Sequence, residues 1–203
     1  MALNFGQVAR SSAIAWKRST ATLPEEARAA ADWVRDDGRV ILGPFEFCLP
    51  LDHAAENLLP DARVAIELFS SLGIAWPGGI EGGPGNNLLD SWVQCANALV
   101  PLMADEQRLC ALLGQSVDVA EILPIEHNWL VTFGWSGLAD HLGEEGGGIP
   151  PRGPEAATTA PAAIRYRAPD GRVEVALLAW LYAESFRGSV PDPPRKLAAR
   201  AAG

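Results

Sequence analysis

The sequence predicts an α/β domain in which a mixed β-sheet is flanked by helices. Three observations predict it. In the first half, apolar residues recur at three- and four-residue spacing, the period of one helix face. In the second half the periodic segments become short, with strand candidates at residues 119–123 and 129–133. Residues 173–182 then form a near-continuous apolar run behind a Pro169-Asp170-Gly171-Arg172 turn, which reads as the second strand of a hairpin begun by Ile164-Arg165-Tyr166-Arg167. Because that run is apolar on both faces, it is expected to be a central strand, and helices preceding strands imply helices packed on a sheet.

The first helix is expected at Pro24-Glu25-Glu26, with proline in the first turn, acids at the positive dipole end, and a weak stripe of Ala27, Ala30, Ala31 and Val34. A second begins at Pro60-Asp61, buries Val64, Leu68, Phe69 and Leu72, and closes at Gly73. A glycine-rich connection, 73–86, follows. The third helix, 87–103, has a buried stripe of Leu88, Leu89, Trp92, Ala96, Leu99 and Val100. Asn87, Ser91, Gln94 and Asn97 lie along its opposite flank. A fourth, 105–113, turns Leu109, Leu112 and Leu113 inward and stops at Gly114. Residues 143–161 have no period and are expected to be a mobile loop. Residues 188–203 are rich in Pro, Ala and basic groups and are expected to be a disordered tail. The rest, 1–187, is of a length suited to one domain.

Composition narrows the chemistry. The chain has 203 residues, 48% of them hydrophobic, so a sizeable core is available. The 20 glycines and 16 prolines call for irregular connections through that core. No apolar run reaches the ~18 residues of a membrane span, and the first 20 residues lack the apolar block of a signal peptide. A formal net charge of −9 argues against a nonspecific nucleic-acid coat or a polybasic membrane binder. The only lysines are Lys17 and Lys196, which excludes a phosphate-binding P-loop and any lysine nucleophile between them. Cys48, Cys95 and Cys110 are too sparse for a disulfide or zinc framework; they are expected to be reduced core residues of a cytoplasmic protein.

Few constellations carry chemistry. His53, His127 and His141 each follow an acid, but none has zinc-motif spacing. Gly134-Trp135-Ser136-Gly137 is not a nucleophile elbow. Gly83-Pro84-Gly85 follows a helix rather than a strand, so it does not read as a dinucleotide loop. The stripe Ser91, Gln94 and Asn97 stands out, since solvated helix faces usually carry Glu and Lys. Neutral amides either read base edges and phosphates or bond neighbouring loops.

Several motifs resemble one family. Phe45-Glu46-Phe47-Cys48-Leu49-Pro50 with Asn57-Leu58-Leu59-Pro60 resembles the start of a group of restriction endonucleases. Gly82-Gly83-Pro84-Gly85-Asn86-Asn87-Leu88-Leu89, followed by Ser91, Gln94, Cys95, Asn97, Ala98 and Leu99, fits the same group. So do Asp118-Val119-Ala120-Glu121-Ile122-Leu123-Pro124-Ile125-Glu126, Ala163-Ile164-Arg165-Tyr166-Arg167, and Leu177-Leu178 through Tyr182, Glu184 and Ser185. The resemblance spans most of residues 5–187 and is to the PD-(D/E)XK nuclease-like group. It implies a restriction-endonuclease-like fold, Mg²⁺ as cofactor, and hydrolysis of DNA phosphodiesters. In such a site two carboxylates hold the metal and a lysine steadies the attacking water.

The resemblance places the motif's first acid at Pro161, its second at Ala179 and its lysine at Leu181, so all three chemical positions are altered. Glu174 points to the face opposite 179 and 181, and Glu184 is the one candidate substitute acid. The expectation is therefore a catalytically impaired domain, without a confident metal site, that binds nucleic acid or a partner. Ser91, Gln94 and Asn97 are its candidate DNA contacts. The alternatives are an active nuclease with a relocated metal site, and a regulatory subunit forming a homo- or hetero-dimer, the latter with an active relative.

Overall fold

The computed structural model describes residues 5–76, 78–135 and 160–180. Over these the chain is α/β, with four α-helices, a two-stranded hairpin and a four-stranded sheet. Helix α1 (Phe5–Ser19) buries Ala9, Ala13 and Lys17 at four-residue intervals. Its apolar stripe is only methyl-wide and ends in a lysine, so hydrophobic periodicity gives it little weight.

The helix expected from Pro24 is instead one 3₁₀ turn, Glu26–Arg28. Ala29 is already extended, and β1 (Ala31–Val34) pairs antiparallel with β2 (Val40–Phe45). The overriding signal is the turn Asp36-Asp37-Gly38. Gly38 has φ +76°, and its N–H donates to the Arg35 carbonyl. Trp33, Phe45 and Phe47 cluster with ring centroids 5.6–6.1 Å apart, a burial that outweighs the weak alanine period.

Helix α2 (Ala65–Leu72) follows a 3₁₀ turn at Pro60–Ala62 and ends as expected at Gly73, which is left-handed at φ +67°. Helix α3 (Ser91–Leu99) starts four residues later than expected. The Asp90 carboxylate accepts from the Val93 N–H at 3.0 Å, capping the helix there, and Pro101 sits in the following 3₁₀ turn Val100–Leu102. Asn87 therefore precedes the helix, where its Oδ1 accepts from the Leu89 N–H. Helix α4 (Glu106–Leu113) is capped by Asp105 in the same manner.

In the sheet, β5 (Ala160–Arg167) is central. β6 (Val173–Leu178) runs along one edge of it, while β3 (Glu121–Leu123) and β4 (Thr132–Trp135) share the other. The connection from β3 to β4 contains a tight turn with both His127 and Asn128 left-handed, between the bridged Glu126 and Trp129. Every pairing among the described residues is antiparallel, so this part of the sheet is not mixed. Among the described residues, the run beginning at Val173 has a strand neighbour on one side only and alternates in exposure, whereas it was expected at the centre. Centrality belongs to β5, whose Ala162, Ala163 and Ile164 are fully buried. Ala160 and Pro161, expected in a loop, lie in β5; residues 143–159 and 188–203 fall outside the described residues.

Two apolar clusters result. The larger joins Phe69, Val93, Leu99, Leu109, Phe133 and Ile164 between the helices and one face of the sheet. The smaller lies under α1 and includes Ala13, Phe47, Leu49 and Leu88. Cys48 and Cys95 are buried, and Cys110 is half-buried against the larger core. Burial pushes the thiols of Cys48 and Cys95 up to about 12. At the floor of the smaller cluster, Lys17 is 1% exposed, and its Nζ donates to the carbonyls of Ala29, Glu46 and Cys48.

Two outcomes follow from this packing. Lys17→Met leaves three carbonyls without that donor and is expected to lower unfolding free energy by about 3 kcal/mol in urea titrations; a loss below about 1 kcal/mol would refute the anchoring role. Iodoacetamide at pH 8 is expected to modify Cys110 first in the native protein and all three thiols in denaturant, as read by mass spectrometry.

Candidate functional site

Two places bear on function: the open end of the β5–β6 hairpin and a cavity between α1 and α3. At the hairpin, the register pairs Ala162 with Leu178 and Ala163 with Leu177. Extending it by one residue sets Pro161 opposite Ala179. Directly opposed residues of an antiparallel pair project from the same face, so the two positions share one side of the sheet. That side also carries Arg165, Val173, Val175 and Leu177, all exposed, and the buried Ala163. The opposite side, with Ala162, Ile164, Tyr166, Ala176 and Leu178, packs into the core. The ladder to β6 ends beside Pro161, which has no N–H to donate. Leu181 and Glu184 lie outside the described residues.

Chemically, these positions are bare. A pyrrolidine ring and a methyl group offer no oxygen to a divalent cation. Among the described residues no group of three or more His, Cys, Asp or Glu side chains is arranged to hold a metal ion. His53, at the kink inside the 3₁₀ segment Leu51–Asn57, stands 3.6 Å from Glu56 and 3.9 Å from Asp52, one ring and two carboxylates with no third ligand type among the described residues beside them. Among the described residues the acid nearest in sequence to the bare positions, Glu174, is on the core side and occupied. It accepts from the Tyr166 hydroxyl and pairs with Arg172 at 2.8 Å. That hydrogen bond, more than burial, holds the Tyr166 phenol above its ordinary range. Asp170 in the turn is held below the usual carboxylate range, chiefly by its hydrogen bond from Arg172 at 2.6 Å.

The α3 stripe is built into its surroundings. Gln94 Nε2 donates to the Leu88 carbonyl at 3.0 Å. Asn97 Oδ1 accepts from the Leu59 N–H at 2.8 Å, and its Nδ2 donates to the Asn57 carbonyl at 3.0 Å. Ser91 is the first residue of α3 and half-buried. The structure thus brings Gln94 and Asn97 together on one wall, but their amides fasten residues 57–59 and 88 to the helix. Ser12, Ala13 and Trp16 of α1 line a cavity of about 280 Å³ together with Asn57, Leu59, Leu88, Gln94 and Asn97. None of these described residues is ionisable.

Asparagines in irregular backbone are the residues that sequence reasoning passed over. Asn57 Nδ2 donates to the carbonyls of Gly85 and Asn87, while its Oδ1 is buried without a partner. Asn86 is wholly buried; it donates to Asp32 and Leu49 carbonyls and accepts from the Val34 N–H. Their one signal in the sequence is position, as amides amid glycine or leucine where no turn or cap needs them. No family model, no curated protein and no solved structure matches the chain.

Asn97→Ala frees a backbone donor at Leu59 and an acceptor at Asn57 together, and is expected to destabilise by about 1–3 kcal/mol in denaturant titrations. A fall in duplex DNA affinity with unchanged stability would instead assign this amide to nucleic acid.

Proposed function

We propose that this chain is a restriction-endonuclease-like domain without hydrolytic chemistry, which acts by binding a protein partner, an active relative of the same fold in a mixed dimer. The observation that carries the reading is the β5–β6 register. Positions 161 and 179, which the motif resemblance assigns independently to two metal-binding acids, come out opposite each other on one outward face. Two carboxylates at such positions would bridge one cation. Proline and alanine there do not fit a metal ion, and no hydrolytic step is written through one.

A protein partner is favoured over independent DNA binding on three grounds. The net charge of −9 deprives a DNA complex of most of its counterion-release affinity. The neutral amides of Gln94 and Asn97 already have backbone partners. Val173, Val175 and Leu177 are 45%, 38% and 58% exposed along a strand that, among the described residues, lies at the edge of the sheet, a surface suited to burial against another chain.

The test is Mn²⁺ titration followed by electron paramagnetic resonance. The parent protein is expected to show no saturable binding up to about 1 mM, whereas Pro161→Asp/Ala179→Glu/Leu181→Lys is expected to take up about one or two ions and to nick supercoiled plasmid. Saturable binding by the parent, with nicking lost on Glu184→Ala, would overturn the reading in favour of a relocated site. A folded triple variant that binds no Mn²⁺ would remove the motif assignment itself.

A further inference from the structure

We draw no further inference here: the strongest candidate, the exposed patch on the outward face of the β5–β6 hairpin where Arg165 stands opposite Val175 beside Val173 and Leu177, belongs to the surface already assigned to a partner, and nothing in the structure shows what covers it.

Discussion

Buried irregular backbone must have its N–H and C=O groups paired, and in this chain a few side chains do what secondary structure does elsewhere. Residues 46–60 and 78–90 cross the interior mostly as bends and short 3₁₀ turns. Lys17 gathers the carbonyls of Ala29, Glu46 and Cys48. Asn86 joins β1 to Leu49, with a backbone bond from the Leu49 N–H to its own carbonyl reinforcing the tie. Asn57 clamps the end of the glycine-rich connection, and Asn97 fastens residues 57 and 59 to α3. Apolar burial drives the two clusters together, but these four residues decide how the segments between them run. Each bonds at least two backbone groups, so removing any one strands several at once.

That division of labour explains which parts of the fold were legible. Helices α2 and α4 end at Gly73 and Gly114 and bury Phe69, Leu109 and Leu113 as the pattern implies, but Val64, expected inward, precedes α2 and is exposed, as is Leu112, because the helices start later and bury a narrower face than the spacing suggests. The β5–β6 hairpin was readable from its Pro-Asp-Gly turn. Helix α1 was not predicted: its buried positions are Ala9, Ala13 and Lys17, and its larger apolar residues Ile14 and Trp16 are only partly buried against the smaller cluster. Residues 31–34 were misread for the complementary reason: alanines at helical spacing outvoted an Asp-Asp-Gly turn that closes a hairpin over an aromatic cluster. The central strand was assigned to the greasier of two partners. Burial of β5 comes from neighbours on both edges, which small residues such as Ala162 and Ala163 permit and which composition does not announce.

The candidate sites divide in the same way. Spacing together with neutral polar character singled out Ser91, Gln94 and Asn97, since i and i+3 share a helix flank and solvated flanks usually carry Glu and Lys. The partners of Gln94 and Asn97, the carbonyls of Leu88 and Asn57 and the N–H of Leu59, are long-range backbone groups that a one-dimensional pattern does not contain. Asn57 went unread as a site residue for that reason, although it stands within a quoted motif. Positions 161 and 179 are a second case. They are 18 residues apart, yet one short turn and an unbroken six-pair ladder bring them face to face. In the sequence the hairpin reads from Ile164, with Pro161 in a loop, so this opposition emerges only once β5 is seen to start at Ala160.

The proposed loss of the metal site also has a physical logic within the hairpin. Two acids directly opposed across an antiparallel pair repel one another unless a cation sits between them. A domain that carries them therefore either binds metal or bears the strain in its apo state. Proline and alanine remove the repulsion, and at these positions they disturb little else. Pro161 lies where the β6 ladder stops, so its missing N–H forfeits no bond to that strand, and Ala179 comes just past the last paired residue of β6. Within the six-pair ladder to β6 a proline would have removed a donor, whereas an alanine keeps its backbone bonds. Exchanging both at the open end keeps six pairs, Ala162–Leu178 through Arg167–Val173, and leaves the Tyr166–Glu174–Arg172 contacts near the turn intact. Under this reading the hairpin is held from its turn end, its open end carries no chemistry that folding must accommodate, and the outward face, apolar along β6 and carrying Arg165 and Arg167 along β5, is left to be covered by another protein.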